Sequence, residues 1–235
     1  MSERPRPSGG RPVALFPDRA EAGRRLGAAL AVMAGHRGAS ALPGDLVVLG
    51  LPRGGVPVAV EVARALAAPV DVAVVRKLGV PSRPELAMGA VGEGGARVVD
   101  VGILRAARVR PEDLAEVERR ETRVVRDRAR DLRGDRPPAD LRGRTVVIVD
   151  DGVATGATML VACRAVRARE ARRVVVAAPV GAAEALRLLR DGADEVFCLV
   201  TPRPFRSVSR WYGDFTQVGT DEVVRLLARA APRRP

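Results

Sequence analysis

Val146–Thr158 reads VVIVDDGVATGAT. Strand Thr145–Val149 brings four apolar residues suited to cover on both faces, two acids end it, and a Gly-containing turn leads into a helix. In a parallel sheet such a turn lies at the carboxyl edge, where ligands bind. Residues 152–158 bring several backbone N–H groups, with the Thr155 and Thr158 hydroxyls, around one anion at the helix N-terminus. Gly156 removes a side chain where the backbone must approach that anion. Asp150 and Asp151 stand just upstream. A phosphate site alone would not tolerate two neighbouring anions, whereas vicinal hydroxyls need acceptors, which a carboxylate pair supplies. The run therefore suits a sugar phosphate, hydroxyls at one end and phosphate at the other. It carries no Gly-Lys-Ser/Thr of a Walker A loop and no GxGxxG dinucleotide loop.

Working outward, strand and helix patterns alternate, which predicts parallel βαβ units. An amphipathic helix spans Asp18 to Ala34, with Asp18 able to cap it. Strand Asp45–Gly50 leads through the loop Leu51–Gly55 into helix Val56–Leu66, with Pro57 in its first turn. Strand Val70–Val75 follows. Arg76 to Gly95 has Gly or Pro every few residues and reads as a long mobile excursion containing one β-hairpin. Pro111–Leu132 is a charged helix with a narrow apolar seam, Leu114, Val117, Val124 and Leu132, and an i,i+4 pair between Glu116 and Arg120. Beyond the decisive run come helix Met159–Arg169, strand Arg173–Ala178, helix Ala182–Arg190 and strand Glu195–Val200. The irregular segment Thr201–Gly219 then precedes a last helix from Thr220 to Ala230.

The 235 residues, 47% of them hydrophobic, suffice for one sizeable α/β core, built from Val, Leu and Ala because aromatics make up only 3%. No apolar run approaches the roughly 20 residues of a membrane helix. Met1 to Pro12 lacks a signal peptide's apolar segment and reads as a disordered tail. These features predict a cytoplasmic protein without a membrane partner. Cys163 and Cys198 have neither metal-ligand nor disulfide spacing and read as small core residues. The net charge is +12, which suits an anionic small molecule. The Arg-rich helix 111–132 reads as a solvated face, and no specific nucleic-acid partner is expected.

Val146–Thr158 resembles the signature of type I phosphoribosyltransferases: four apolar residues, two acids, and a loop ending T-G-x-T. That resemblance, extending over roughly Asp45 to Val218, implies an α/β fold with a parallel sheet flanked by helices, a small C-terminal hood and a flexible loop. It implies one domain over residues 13–232, with the core at about 45–200 and the hood at about 201–219 plus the N-terminal segment. It also implies transfer of the phosphoribosyl group of 5-phosphoribosyl 1-pyrophosphate (PRPP) to a nitrogen acceptor, with pyrophosphate released. Asp150 and Asp151 would bind the ribose hydroxyls, and Val153, Ala154, Thr155, Gly156, Ala157 and Thr158 the 5′-phosphate. Magnesium would arrive mainly through PRPP, with Asp150 and Asp151 as its protein contacts.

The Leu51-Pro52-Arg53-Gly54-Gly55 loop looks like the family's pyrophosphate loop, placing Arg53 and Gly54 at the leaving group. Arg76-Lys77 resembles the Arg-Lys pair that orotate and adenine enzymes carry beside the pyrophosphate. Lys77 is the chain's single lysine and joins Asp150 and Asp151 as a catalytic candidate. Leu78–Gly95 would be the loop that closes over PRPP, with Glu85 and Glu93 exposed in it. Phe205, Trp211 and Tyr212 of the hood would stack on the acceptor. The family also implies a homodimer. Two departures from the 6-oxopurine enzymes, Ala154 where they carry an aspartate and Ala178-Pro179 where they carry a lysine, speak against hypoxanthine, guanine and xanthine. A PRPP-sensing regulator of the same fold without transferase activity is the alternative.

Overall fold

The apolar runs become strands wherever both faces can be covered. The computed structural model describes residues 14–36, 45–134 and 136–230, and the tail expected over residues 1–12 lies outside them. In chain order the elements are α1 (Arg19–His36), β1 (Leu46–Gly50), α2 (Gly55–Ala65), β2 (Val70–Val72), β3 (Val75–Val80) and β4 (Arg83–Gly92). There follow β5 (Arg97–Val99), α3 (Val101–Ala106), α4 (Pro111–Arg133), β6 (Thr145–Val149), α5 (Ala157–Ala168) and β7 (Arg173–Val180). The last are α6 (Ala183–Leu189), β8 (Glu195–Val200) and α7 (Thr220–Ala230). Among the described residues no helix is long and apolar enough to cross a membrane.

Five strands form a parallel sheet in the order β2-β1-β6-β7-β8. Alternate residues serve opposite faces, so a continuous apolar run is what a doubly covered strand needs. Val48, Val147 and Val175 pack with Leu26 and Leu30 of α1 and Val58 and Val62 of α2. Val47, Ile148 and Val174 pack with Met159, Ala162 and Val166 of α5 and Leu189 of α6. Each fully buried Val or Ile stabilises this sandwich by about 1.5–3 kcal/mol. Cys163 is part of that core, and burial pushes its thiol up to about 12.

Four expectations are corrected. The apolar run Val70–Val75 is not one strand: β2 ends at Val72, and β3 leaves the parallel sheet to pair antiparallel with β4, which pairs in turn with β5. The excursion 76–95 is thus mostly a built sheet, with Leu78, Val80, Met88 and Val91 packed among Val117, Val125 and Leu132 of α4. Its longest exposed run is the hairpin tip, 81–86. On α4 the buried line is Val117, Glu121, Val125, Ala129 and Leu132, whereas Val124 is 38% exposed. Arg120 pairs with Glu121 at 3.1 Å, not with Glu116.

A buried charge network ties this second sheet to the first. Arg133, closing α4, donates to Asp71 Oδ1 of β2 at 2.8 Å and to Glu93 Oε2 at 2.7 Å. Asp71 Oδ2 accepts from Ala139 N–H at 2.9 Å. Glu93 Oε1 is buried without a partner, and burial pushes the Glu93 carboxyl up against the opposing hydrogen bond from Arg133.

Candidate active site

The sheet order reverses between β1 and β6. After β1 the chain moves outward to β2, and after β6 it moves the other way to β7 and β8. At such a switch point the two following loops diverge and open a crevice at the carboxyl edge. The loops in question are 51–55 and 150–156, and Leu51 N–H donates to Val149 O at 2.9 Å where they part. They touch again further out. A Cβ on Gly55 would lie 2.7 Å from Val149 O and 2.8 Å from Asp150 Cα, so only glycine lets these backbones pass. The Pro52–Arg53 peptide is cis.

The candidate anion seat lies at the start of α5. Gly156 is its N-cap in the left-handed region (φ 77°, ψ −8°) and brings no side-chain cap to the first-turn N–H groups. Ala154, Thr155, Ala157 and Thr158 are exposed around it. Val153 is buried and anchors the loop, its N–H donating to Val180 O at 2.9 Å and its carbonyl accepting from Ala182 N–H at 2.8 Å. Ala157 N–H reaches Thr155 Oγ1 at 3.4 Å, and an anchored loop at the positive end of a 12-residue helix is a geometry suited to one anion.

The acids differ in their company. Asp150 Oδ1 accepts from the Asp151 N–H at 2.9 Å. Asp151 is clasped: Arg19 Nε, the first residue of α1, lies 2.7 Å from its Oδ2, with side chains only 11% and 13% exposed. The Tyr212 hydroxyl donates to Asp151 O at 2.6 Å. Arg19 Nη1 donates to Thr216 O at 2.9 Å, and its guanidinium lies 3.8 Å from the Phe215 ring centre. Burial pushes the Asp150 carboxyl well up, helped by the Asp151 charge. Burial also raises Asp151, against the opposing pull of Arg19. Sequence reasoning missed Arg19. A signal existed, because a cation at the first residue of a helix opposes the macrodipole and needs another reason to be there.

The proposed pyrophosphate cations do not converge as expected. Arg76 and Lys77 are successive residues of β3 and so face opposite sides. Arg76 Nε reaches Glu121 Oε2 of α4 at 2.9 Å. Burial would push Glu121 up, but the Arg76 and Arg120 hydrogen bonds outweigh it and hold the carboxyl low. Lys77 Nζ pairs with Glu85 at 3.0 Å across the hairpin, at 44% and 96% side-chain exposure, and such a surface pair is worth little. Arg53 lines a groove of about 430 Å³ together with Asp127 and Asp131 of α4 and Thr220 of α7. Of the two excursion acids, Glu93 is buried and only Glu85 is exposed.

The hood aromatics also need correcting. Tyr212 is 5% exposed, its ring 5.4 Å from Phe16 and 5.1 Å from Phe215, so it offers no free face to an acceptor. Phe205 and Trp211 pack against the same cluster. Phe16 N–H donates to Trp211 O and Gly213 N–H to Phe16 O, which stitches the N-terminal segment onto the hood.

Comparison with known proteins points one way. The phosphoribosyl transferase domain model matches residues 36–212. The crystal structure of TT1426 from Thermus thermophilus is similar at 45% identity, with a TM-score of 0.81 over 92% of this chain and 99% of that one. Two Mycobacterium tuberculosis proteins (strains CDC 1551 / Oshkosh and H37Rv), provisionally named phosphoribosyl transferases, are 48% identical over 216 residues, 92% of this chain and 47% of theirs. The chain thus spans about half the length of these curated relatives. A ribose-phosphate pyrophosphokinase of Methanopyrus kandleri is 42% identical over 74 residues, 30% of this chain and 25% of that one.

Proposed function

Because the chain belongs to the phosphoribosyl transferase family, we propose that it binds PRPP with magnesium and transfers the 5-phosphoribosyl group to a nitrogen acceptor. One observation carries the reading: the carboxylate pair, the α5 N-terminus and the 51–55 loop all stand at the carboxyl edge at the sheet's switch point, with Gly54 and Gly55 packed against Asp151 and Asp150. A ribose ring fits their chemistry, with its 5′-phosphate on the α5 amides and its vicinal hydroxyls on Asp150 and Asp151. The 51–55 loop takes the diphosphate. A relative named as a ribose-phosphate pyrophosphokinase supports a ribose-phosphate substrate.

In this reading the acceptor nitrogen attacks C1′ as the C1′–O bond to pyrophosphate breaks, and the leaving group carries away the electron pair. The protein's share is to hold the ribose and to stabilise the growing charge on the leaving group. Arg53 is the cation on the loop itself. Lys77 sits in a weak, exposed pair and is free to exchange Glu85 for a phosphate, whereas Arg76 is committed to Glu121. Magnesium chemistry agrees with the donor set: two carboxylates with substrate phosphates is how this ion is usually held, in contrast to an all-protein cage. Held by Asp150 and Asp151 with the substrate phosphates, the ion would supply neutralisation of pyrophosphate charge.

A screen of nucleobases and other nitrogen acceptors with PRPP and magnesium, reading pyrophosphate release, tests the proposal. Acceptor-dependent release lost in Asp150→Asn supports it. Tight PRPP binding without release for any acceptor would favour the sensing role over transfer.

A further inference from the structure

We infer that Arg19 is a positioning residue for ribose recognition, holding Asp151 in the one orientation from which it can accept a substrate hydroxyl. The inference rests on the proposed PRPP reading and goes beyond it, since Arg19 lies on α1, far in sequence from the ribose loop. A carboxylate can serve two partners, one on each oxygen. Arg19 Nε takes Asp151 Oδ2, which leaves Oδ1 for a ligand. The Gly54 backbone closes in on the same Oδ2 oxygen, where a Cβ would stand at 2.2 Å. Tyr212 fixes the main chain through Asp151 O. With both ends of the residue held, the free oxygen has a defined direction.

Charge points the same way. Two adjacent carboxylates repel, and the Arg19 guanidinium, 2.7 Å from Asp151 Oδ2, offsets that repulsion at Asp151. The cation is an arginine placed against its own helix dipole, so α1 gains nothing from it locally. Planar guanidinium geometry lets one side chain serve Asp151 through Nε and the hood through Nη1, with the Phe215 ring against its face. The competing role is a mere staple of the hood onto α1. The two roles separate, because a staple acts through Thr216 and Phe215 and positioning acts through Asp151.

The experiment compares wild type, Arg19→Met, Arg19→Lys and Phe215→Leu, titrating each with PRPP plus magnesium, ribose 5-phosphate and inorganic pyrophosphate. Arg19→Met is expected to weaken PRPP and ribose 5-phosphate by the same factor, about tenfold or more, and to leave pyrophosphate unchanged. Phe215→Leu should bind all three like wild type. Arg19→Lys keeps the charge but cannot hold Asp151 and Thr216 from one planar group, and it should fall between. Unchanged ribose 5-phosphate affinity in Arg19→Met, or an equal loss in Phe215→Leu, overturns the assignment. If Arg19→Met does not fold, an Arg19→Lys protein indistinguishable from wild type toward ribose 5-phosphate overturns it as well. Wild type that binds neither ribose ligand would instead bring down the PRPP reading, and this inference with it.

Discussion

A Cβ on Gly54 would stand 2.2 Å from Asp151 Oδ2, so the loop after β1 and the acid pair after β6 form one surface. Gly54 itself has ordinary helical angles (φ −62°, ψ −34°), so a side chain there costs no backbone strain. Gly54→Ala should therefore displace Asp151 from Arg19 and weaken PRPP binding, with a stability loss no larger than that of Asp151→Asn and without added backbone strain. Gly55→Ala meets backbone atoms that cannot swing away, and should cost about 1–3 kcal/mol by overpacking. Denaturant unfolding beside ligand titration checks both. A Gly54→Ala variant that loses more stability than Asp151→Asn, or binds PRPP like wild type, would contradict the account of this contact.

Gly156 holds φ 77° at the head of α5, with Ala185 O 3.2 Å from a would-be Cβ. Gly156→Ala is expected to lose about 1–2 kcal/mol of stability from the left-handed backbone. It should also weaken ribose 5-phosphate and PRPP together, with pyrophosphate affinity kept. Undiminished ribose 5-phosphate affinity in a folded variant would move the 5′-phosphate away from this loop.

Asp150 and Asp151 should respond differently to the same change. Asn at 150 can still accept the Asp151 N–H, and it removes a like charge from a buried neighbour. Asp150→Asn should thus fold at least as stably as wild type and lose ribose affinity. Asp151→Asn leaves the shielded Arg19 guanidinium without its counter-charge, at a cost of about 1–3 kcal/mol. Thermal unfolding of the two variants, alone and with ribose 5-phosphate, reads the difference. Identical behaviour would mean that the clasp does not hold Asp151.

The buried network predicts a pH dependence at Glu93. Burial raises its carboxyl above the ordinary 4.5, against the hydrogen bond from Arg133. The folded chain therefore binds this proton more tightly than the unfolded chain. Its contribution to stability is fully present below pH 4.5 and is lost as pH rises through the elevated folded value. Glu93→Gln keeps an acceptor for Arg133 and does not titrate. The variant's stability relative to wild type should improve as pH rises through that window and level off above it. Denaturant unfolding of both proteins at several pH values measures the gap, and a gap independent of pH would contradict the account.

Much of this was legible in the sequence where chemistry is written in adjacent residues. Val146–Thr158 carries its strand, acids, turn glycine and helix start in one run, and Leu51–Gly55 does likewise. What depends on a partner elsewhere could not be read. Val70–Val75 is one apolar run, and only the pairing of β3 with β4 splits it. Arg76 and Lys77 are sequence neighbours whose partners, Glu121 and Glu85, lie 45 and 8 residues away on opposite sides of the strand. Val124 and Val125 are equally apolar, and packing against β3 and β4 decides between them. Arg19 shows in the sequence only as a misplaced cation, because its purpose is 132 residues away.

The most direct test of the central claim is the shift in unfolding free energy when PRPP and magnesium are added. At one hundred times its dissociation constant, PRPP should stabilise the fold by about 2.7 kcal/mol through mass action alone. Ribose 5-phosphate at the same concentration should stabilise less, since it lacks the contacts to the 51–55 loop. The gain should vanish in Asp150→Asn, whose fold remains intact. A wild-type protein whose unfolding is unmoved by millimolar PRPP with magnesium would contradict the account.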